Sequence, residues 1–168
     1  MNATATPAGR DRKVLARFFS IAGFVLCVLG QAATATSVRG EPPPDAAAVE
    51  RLRQEGQRAF SRARFDEARD RYRERLSAAV QVFGEIHVET AVAYADLAWL
   101  HHVQGDAPRA EAFYRRALEV HDLLQPPAPE GAAWVRYRLA KLHRQSGRLD
   151  AAEREIRLAV ARLELHLD

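Results

Sequence analysis

The stretch FGEIHVETAVAYADLAWLHHVQGDAPRAEAFYRRALEV, Phe83 to Val120, carries the pattern that sets the fold of this 168-residue chain. Apolar residues recur through it with a period near 3.6, the spacing that gives a helix one apolar face. The run breaks at Gly84–Ile86 and again at Gly105–Asp106. Such short breaks leave the helices on either side of Gly105 antiparallel, as a helical hairpin.

The same pattern is found three times along the chain. The second helix of the hairpin reads APRAEAFYRRAL (Ala107 to Leu118), preceded by FDEARDRYRERL (Phe65 to Leu76) and followed by LDAAEREIRLAV (Leu149 to Val160). Ala68, Ala110 and Ala152 fall in one column, equally spaced and without a gap, and Tyr72, Tyr114 and Ile156 form a second column. Gly56, Ala98 and Ala140 form a third, and Ala63, Gly105 and Gly147 share the turn column. Small residues let helix backbones approach closely, the Tyr/Ile column fills the space between successive hairpins, and glycine at the turn tolerates positive φ. With further breaks at Ser61–Phe65, Pro126–Gly131 and Gly147–Arg148, the pattern predicts six helices, roughly 46–61, 66–83, 87–103, 107–124, 131–146 and 149–166. No strand pattern is present after Ala46, so the class is all-α.

A repeat of this kind resembles the tetratricopeptide repeat (TPR), whose usual unit is shorter. The 42-residue period resembles the kinesin light chain-type variant, through Gly84, His87, Thr90-Ala91, Leu97-Ala98, Gly105, Ala110, Tyr114 and Ala117-Leu118. The resemblance covers residues 46–168, as three repeats of about 46–86, 87–128 and 129–168. Three positions depart from the family pattern. Arg75 stands where the later repeats have Ala117 and Ala159. Ala95-Asp96 and Tyr137-Arg138 stand in place of paired asparagines. QPPAPEG replaces the Gly-x-x-His turn before the fifth helix. A ligand mode that relies on a ladder of asparagines is therefore not expected.

The resemblance implies a right-handed superhelical solenoid whose first helices line a concave groove for a protein or peptide. Its groove positions are Glu50, Arg53 and Gln57 in repeat one, and Val92, Asp96, Trp99 and His102 in repeat two. Repeat three adds Trp134, Arg138, Lys141 and Arg144. Such a groove grades from mixed charge through aromatic to basic. Trp and Arg are common hot spots, and a basic end suits an acidic peptide or a C-terminal carboxylate. The alternative is that both tryptophans pack between hairpins and the charges are solvated. In the last helix, Ala152, Ile156, Ala159 and Leu163 are expected to face their own hairpin. Ala151, Leu158 and Leu165 form a second stripe with nothing evident to cover it, a candidate surface for self-association.

The first forty residues are of a different kind. Arg10, Arg12, Lys13 and Arg17 precede the apolar run FFSIAGFVLCVL (Phe18 to Leu29), and Ala33-Thr34-Ala35 offers a cleavage site. This is the layout of a secretory signal peptide over residues 1–35. The competing reading is an uncut signal anchor, since residues 18–38 carry no charge and could just cross a bilayer. Either way the helical part is expected outside the cytoplasm, periplasmic or secreted, or tethered to the inner membrane. Residues 36–45, with three prolines, form a stiff linker ending at Asp45, a helix N-cap.

The segment takes the chain's charge with it. The net +3 comes from the four bases and one acid of residues 1–35, so residues 36–168 hold 21 of each sign. Nucleic acid is therefore not an expected partner. The nine arginines and six acids between Glu50 and Arg75 read as a solvated, salt-bridged face. The one cysteine, Cys27, excludes disulfide frameworks and multi-cysteine metal sites. His101 and His143 share a repeat column and are expected in the core, while His87 fits the family turn and His121 and His166 lie near helix C-termini. No nucleophile, phosphate-loop or dinucleotide motif is present, so neither catalysis nor a metal or cofactor is expected.

Overall fold

A computed structural model describes residues 43–165. The signal or anchor segment, residues 36–42 of the linker, and His166 lie outside the described residues. Six helices follow in order: α1 Ala46–Ser61, α2 Phe65–Phe83, α3 Val88–Val103, α4 Ala107–Leu123, α5 Pro129–Gln145 and α6 Leu149–Glu164. Among the described residues there is no strand and no helix long and apolar enough to cross a membrane. The helices pack as three antiparallel hairpins, α1–α2, α3–α4 and α5–α6, in the manner of a tetratricopeptide repeat solenoid. Each hairpin's second helix also packs against the next hairpin's first.

Local chemistry sets the helix starts. The Ala48 N–H donates to Asp45 Oδ1 at 2.7 Å, capping α1. At α3 the Glu89 N–H donates to His87 Nδ1 at 3.1 Å, and the His87 ring stacks on Phe83 at 4.6 Å. Thr90 Oγ1 donates to the Gly84 carbonyl at 2.8 Å, closing the same turn. Those bonds are the physical content of the Gly-x-x-His turn. The α5 start has no side-chain cap. It begins instead on Pro129, ahead of the predicted start at Gly131, because the fixed φ and missing N–H of proline suit a first helical turn. Gly131 falls inside that turn, and a side chain there would clash, since a Cβ would meet the His121 imidazole at 2.5 Å.

The turn column behaves as one position. Ala63, Gly105 and Gly147 have φ of 55°, 79° and 73°. Two repeats use glycine for this left-handed conformation, and repeat one holds an alanine in it.

The core is organised by junctions between hairpins. At the first, Leu97 and Leu100 of α3 pack on Ala59, Ala68 and Tyr72. At the second, Leu139 and Leu142 of α5 pack on Ala98, Ala110 and Tyr114. A Cβ added to Gly56 would lie 2.5 Å from the Tyr72 ring, so the small-residue column does allow the expected close approach. One expectation is corrected. Ile156 is not buried against its own hairpin: it is 41% exposed and, with Ala152, lines an open cavity beside α5, whereas its column mates Tyr72 and Tyr114 are buried. That column faces the following hairpin, and nothing described follows α6. Ala159 alone of the four is buried.

Candidate functional site

The groove residues of the first helices divide into those held by partners and those left open. Arg53 and Glu50 form a bidentate pair at 2.7 Å on the α1 surface, and Gln57 is exposed beside them. Val92 is half-buried. Asp96 lies deeper. Its Oδ2 accepts from Arg75 Nη1 at 2.6 Å, and Arg75 Nη2 donates to Glu89 at 2.8 Å. The Arg75 side chain is fully buried between α2 and α3. Two departures from the family pattern, Arg75 in the alanine column and Asp96 in place of an asparagine, are thus a single ion pair across the first junction. Burial pushes the Asp96 carboxyl up to about 6, against the pull of Arg75 and Arg53. Asp96 therefore serves the junction first and the groove second.

His102 is not a groove-facing group, although its position suggested one. It is buried, with Nε2 donating to Gln145 Oε1 at 2.6 Å and Nδ1 3.4 Å from the Tyr114 hydroxyl. Its ring meets Trp99 edge-on at 5.3 Å and so packs against that indole. The other core histidines are likewise buried. His101 stacks on Phe113 at 5.6 Å, and burial holds His101, His121 and His143 below the usual histidine range.

The centre of the groove is an aromatic clamp. The Arg138 guanidinium lies 4.0 Å from the Trp99 ring centroid and 4.6 Å from that of Trp134. Cation–π contact with two indoles engages the guanidinium's π surface and leaves its N–H edge for hydrogen bonding. Among the described residues no carboxylate pairs with Arg138, and its Nε is buried without a partner. Trp134 is 45% exposed and Trp99 half-buried. Both therefore contribute to a junction and to the surface, where packing and binding had stood as alternatives. Gln57, Phe60, Tyr72, Asp96 and the clamp line a concavity of about 220 Å³. Trp134 also borders an adjoining apolar one of about 290 Å³ with Val92 and Val135.

Beyond the clamp, Lys141 is half-buried and Arg144 exposed, and neither pairs with a carboxylate among the described residues. Both line a further cavity of about 370 Å³ between α5 and α6, away from Trp99. In the last helix Leu158 and Leu165 are exposed, at 50% and 80%, and Ala151 is half-buried. Sequence reasoning missed the Arg75–Asp96 pair. The available signal was that two departures from one pattern, on consecutive helices, carried opposite charge.

Comparison with known proteins agrees with the family resemblance. Residues 50–122 match the tetratricopeptide repeat family model. Among solved structures, the chain is similar to the crystal structure of BtubC (BKLC) from P. vanneervenii, at 20% sequence identity and a TM-score of 0.65. The match covers 70% of this chain and 47% of that one, so the chain spans about half the length of that structure. No curated protein matches it. Tetratricopeptide repeats generally mediate protein–protein interaction and are typically scaffolds rather than enzymes.

Proposed function

We propose that this chain is an exported interaction module that holds an acidic peptide segment in the groove of a right-handed helical solenoid and carries out no chemistry of its own. One observation carries the reading. Arg138 is held between Trp99 and Trp134 with its N–H edge free of any described carboxylate. A fixed guanidinium flanked by aromatic walls suits a carboxylate, with the indoles contacting the neighbouring side chains. Lys141 and Arg144 extend the positive charge along the same helix, while Asp96 is neutralised by Arg75. Export rests on the basic, apolar and small-residue sequence of residues 10–35.

The test is a panel of acidic peptides and their Lys-substituted counterparts, titrated against the purified protein by fluorescence anisotropy. Wild type should prefer the acidic set, and Arg138→Ala or Trp134→Ala should weaken binding by a factor of about 10–30 while helicity is retained. Equal binding of both peptide sets, or an unaffected Arg138→Ala variant, sinks the groove reading. Mass spectrometry of the protein from cells tests export: an N-terminus at Thr36 supports cleavage, and one at Met1 in the membrane fraction supports the anchor. A second reading, self-association through α6, is favoured by the exposure of Leu158 and Leu165. Light scattering of wild type against Leu158→Glu decides it.

A further inference from the structure

The two internal junctions of the solenoid are filled differently. At the first, the buried Arg75 side chain reaches from α2 to Glu89 and Asp96 on α3. One period later the counterparts of Arg75 and Glu89 are Ala117 and Gly131. The second junction therefore lacks the two long side chains that occupy the first. Beside Gly131 it opens as the cavity of about 290 Å³ between α3, α4 and α5. Val92, Ala95, Val135 and the Trp134 ring supply apolar walls.

One polar side chain is added where the others are lost. His121 stands where repeat one has Ala79, and it lines the cavity while only 2% exposed. Its Nδ1 is buried without a hydrogen-bond partner, so Nε2 is the nitrogen left for a ligand. Burial and the nearby Arg162 hold this imidazole below the usual histidine range, against the pull of Asp122, so it is neutral near pH 7. A neutral imidazole offers one donor and one acceptor. The other polar group in the lining, Asp96, is already bonded to Arg75. A charged ligand would lose its hydration here without gaining a free counter-charge. Ordered water, which seeks about three partners, finds one unpartnered group.

Size narrows the class further. A cavity of about 150 Å³ already takes benzene, and drug-sized ligands occupy upward of about 300 Å³. We propose that this cavity binds a small uncharged phenol, free in solution, with its ring against Trp134 between Val92 and Val135 and its hydroxyl bonded to His121. Trp134 and Asp96 border the clamp as well. The phenol carries no carboxylate and makes no use of Arg138, so this site and the groove reading can each fail while the other stands.

The probe is para-cresol, titrated into the isotope-labelled protein while NMR follows the Gly131 amide and the Trp134 indole N–H. Saturable shifts are expected, with a dissociation constant of about 0.1–1 mM, in range for a molecule of about eight heavy atoms. Toluene keeps the ring and lacks the hydroxyl, and should bind wild type at least about ten-fold more weakly. Val92→Phe puts a ring into the cavity from α3 and should weaken para-cresol binding at least about ten-fold, with the circular dichroism unchanged. His121→Leu should remove the preference for para-cresol over toluene; if that variant does not fold, the two ligands on wild type still decide. No saturation at about 10 mM para-cresol, equal binding of the two ligands, or binding unmoved by Val92→Phe would overturn the proposal. Displacement of para-cresol by an acidic peptide would assign the cavity to a peptide side chain and overturn the free ligand.

Discussion

Arg75→Ala removes a fully buried guanidinium and leaves Asp96 desolvated with its direct partner gone. Breaking a buried pair from one side costs about 3–5 kcal/mol, because the remaining charge keeps its desolvation penalty without compensation. Glu89 is more exposed and rehydrates, so the cost falls on Asp96. Asp96→Asn keeps the shape and leaves Arg75 with Glu89, for a smaller cost of about 1–3 kcal/mol. The double variant restores a neutral junction of small and amide residues and loses the packing of the arginine stem. Its cost should fall short of the sum of the singles by at least about 1.5 kcal/mol. Urea unfolding followed by circular dichroism measures all four corners of the cycle. A pH arm adds a sign test. A carboxyl raised above its unfolded value near 3.8 favours the fold at low pH, and that contribution is lost as the pH rises through the folded value, here about 6. Without Arg75 the folded value rises further. The deficit of Arg75→Ala should therefore shrink from pH 8 to pH 5, and the deficit of Asp96→Asn should not. Additive singles, or an Arg75→Ala deficit independent of pH, would overturn the account of this junction as a coupled pair.

Gly56→Ala should destabilise by about 1–2 kcal/mol, since overpacking against Tyr72 outweighs the roughly 1 kcal/mol helix-propensity gain; urea midpoints show it. Ala63→Gly should stabilise by about 0.5 kcal/mol by relieving a left-handed alanine, and Gly105→Ala in the same column should destabilise by about 1 kcal/mol, both read from thermal midpoints. His101, His121 and His143 are held neutral by burial, while the unfolded chain takes up protons below about pH 6.5. Their stabilisation is present above that pH and lost as the pH falls through it. Thermal midpoints should drop between pH 7.5 and 5.5 despite the opposite trend of Asp96, and a flat profile would contradict the burial of these rings.

The architecture was legible because a solenoid repeats its reasons. Once Ala68, Ala110 and Ala152 aligned at one constant spacing, the helix lengths, the turn column and the close approach at Gly56 followed from that single period. What escaped the period was whatever joined unlike columns. Arg75 meets Asp96 and His102 meets Gln145, and neither separation in sequence is a whole repeat. The groove positions read as a list of side chains, and the structure sorts them by partner. Arg53 is tied to Glu50, Asp96 to Arg75 and His102 to Gln145, while Arg138 is stacked but without a carboxylate. The face of Ile156 was misread for a related reason. A helix with apolar residues on two sides does not say which side its own hairpin takes, and only the column's behaviour in repeats one and two decides it.

Binding and stability couple differently at the two junctions. Position 96 and its counterpart 138 each hold a junction by reaching back over the preceding hairpin, one through an ion pair and one through two indole faces. An ion pair uses the hydrogen-bonding edge of its arginine, so a ligand carboxylate competing for Arg75 would have to open the first junction. Cation–π stacking uses the faces and leaves the edge. A ligand carboxylate can therefore take the N–H edge of Arg138 while its contacts with Trp99 and Trp134 remain in place. Ligand binding at the clamp should raise the unfolding midpoint by the ordinary mass-action amount, without loosening repeat three.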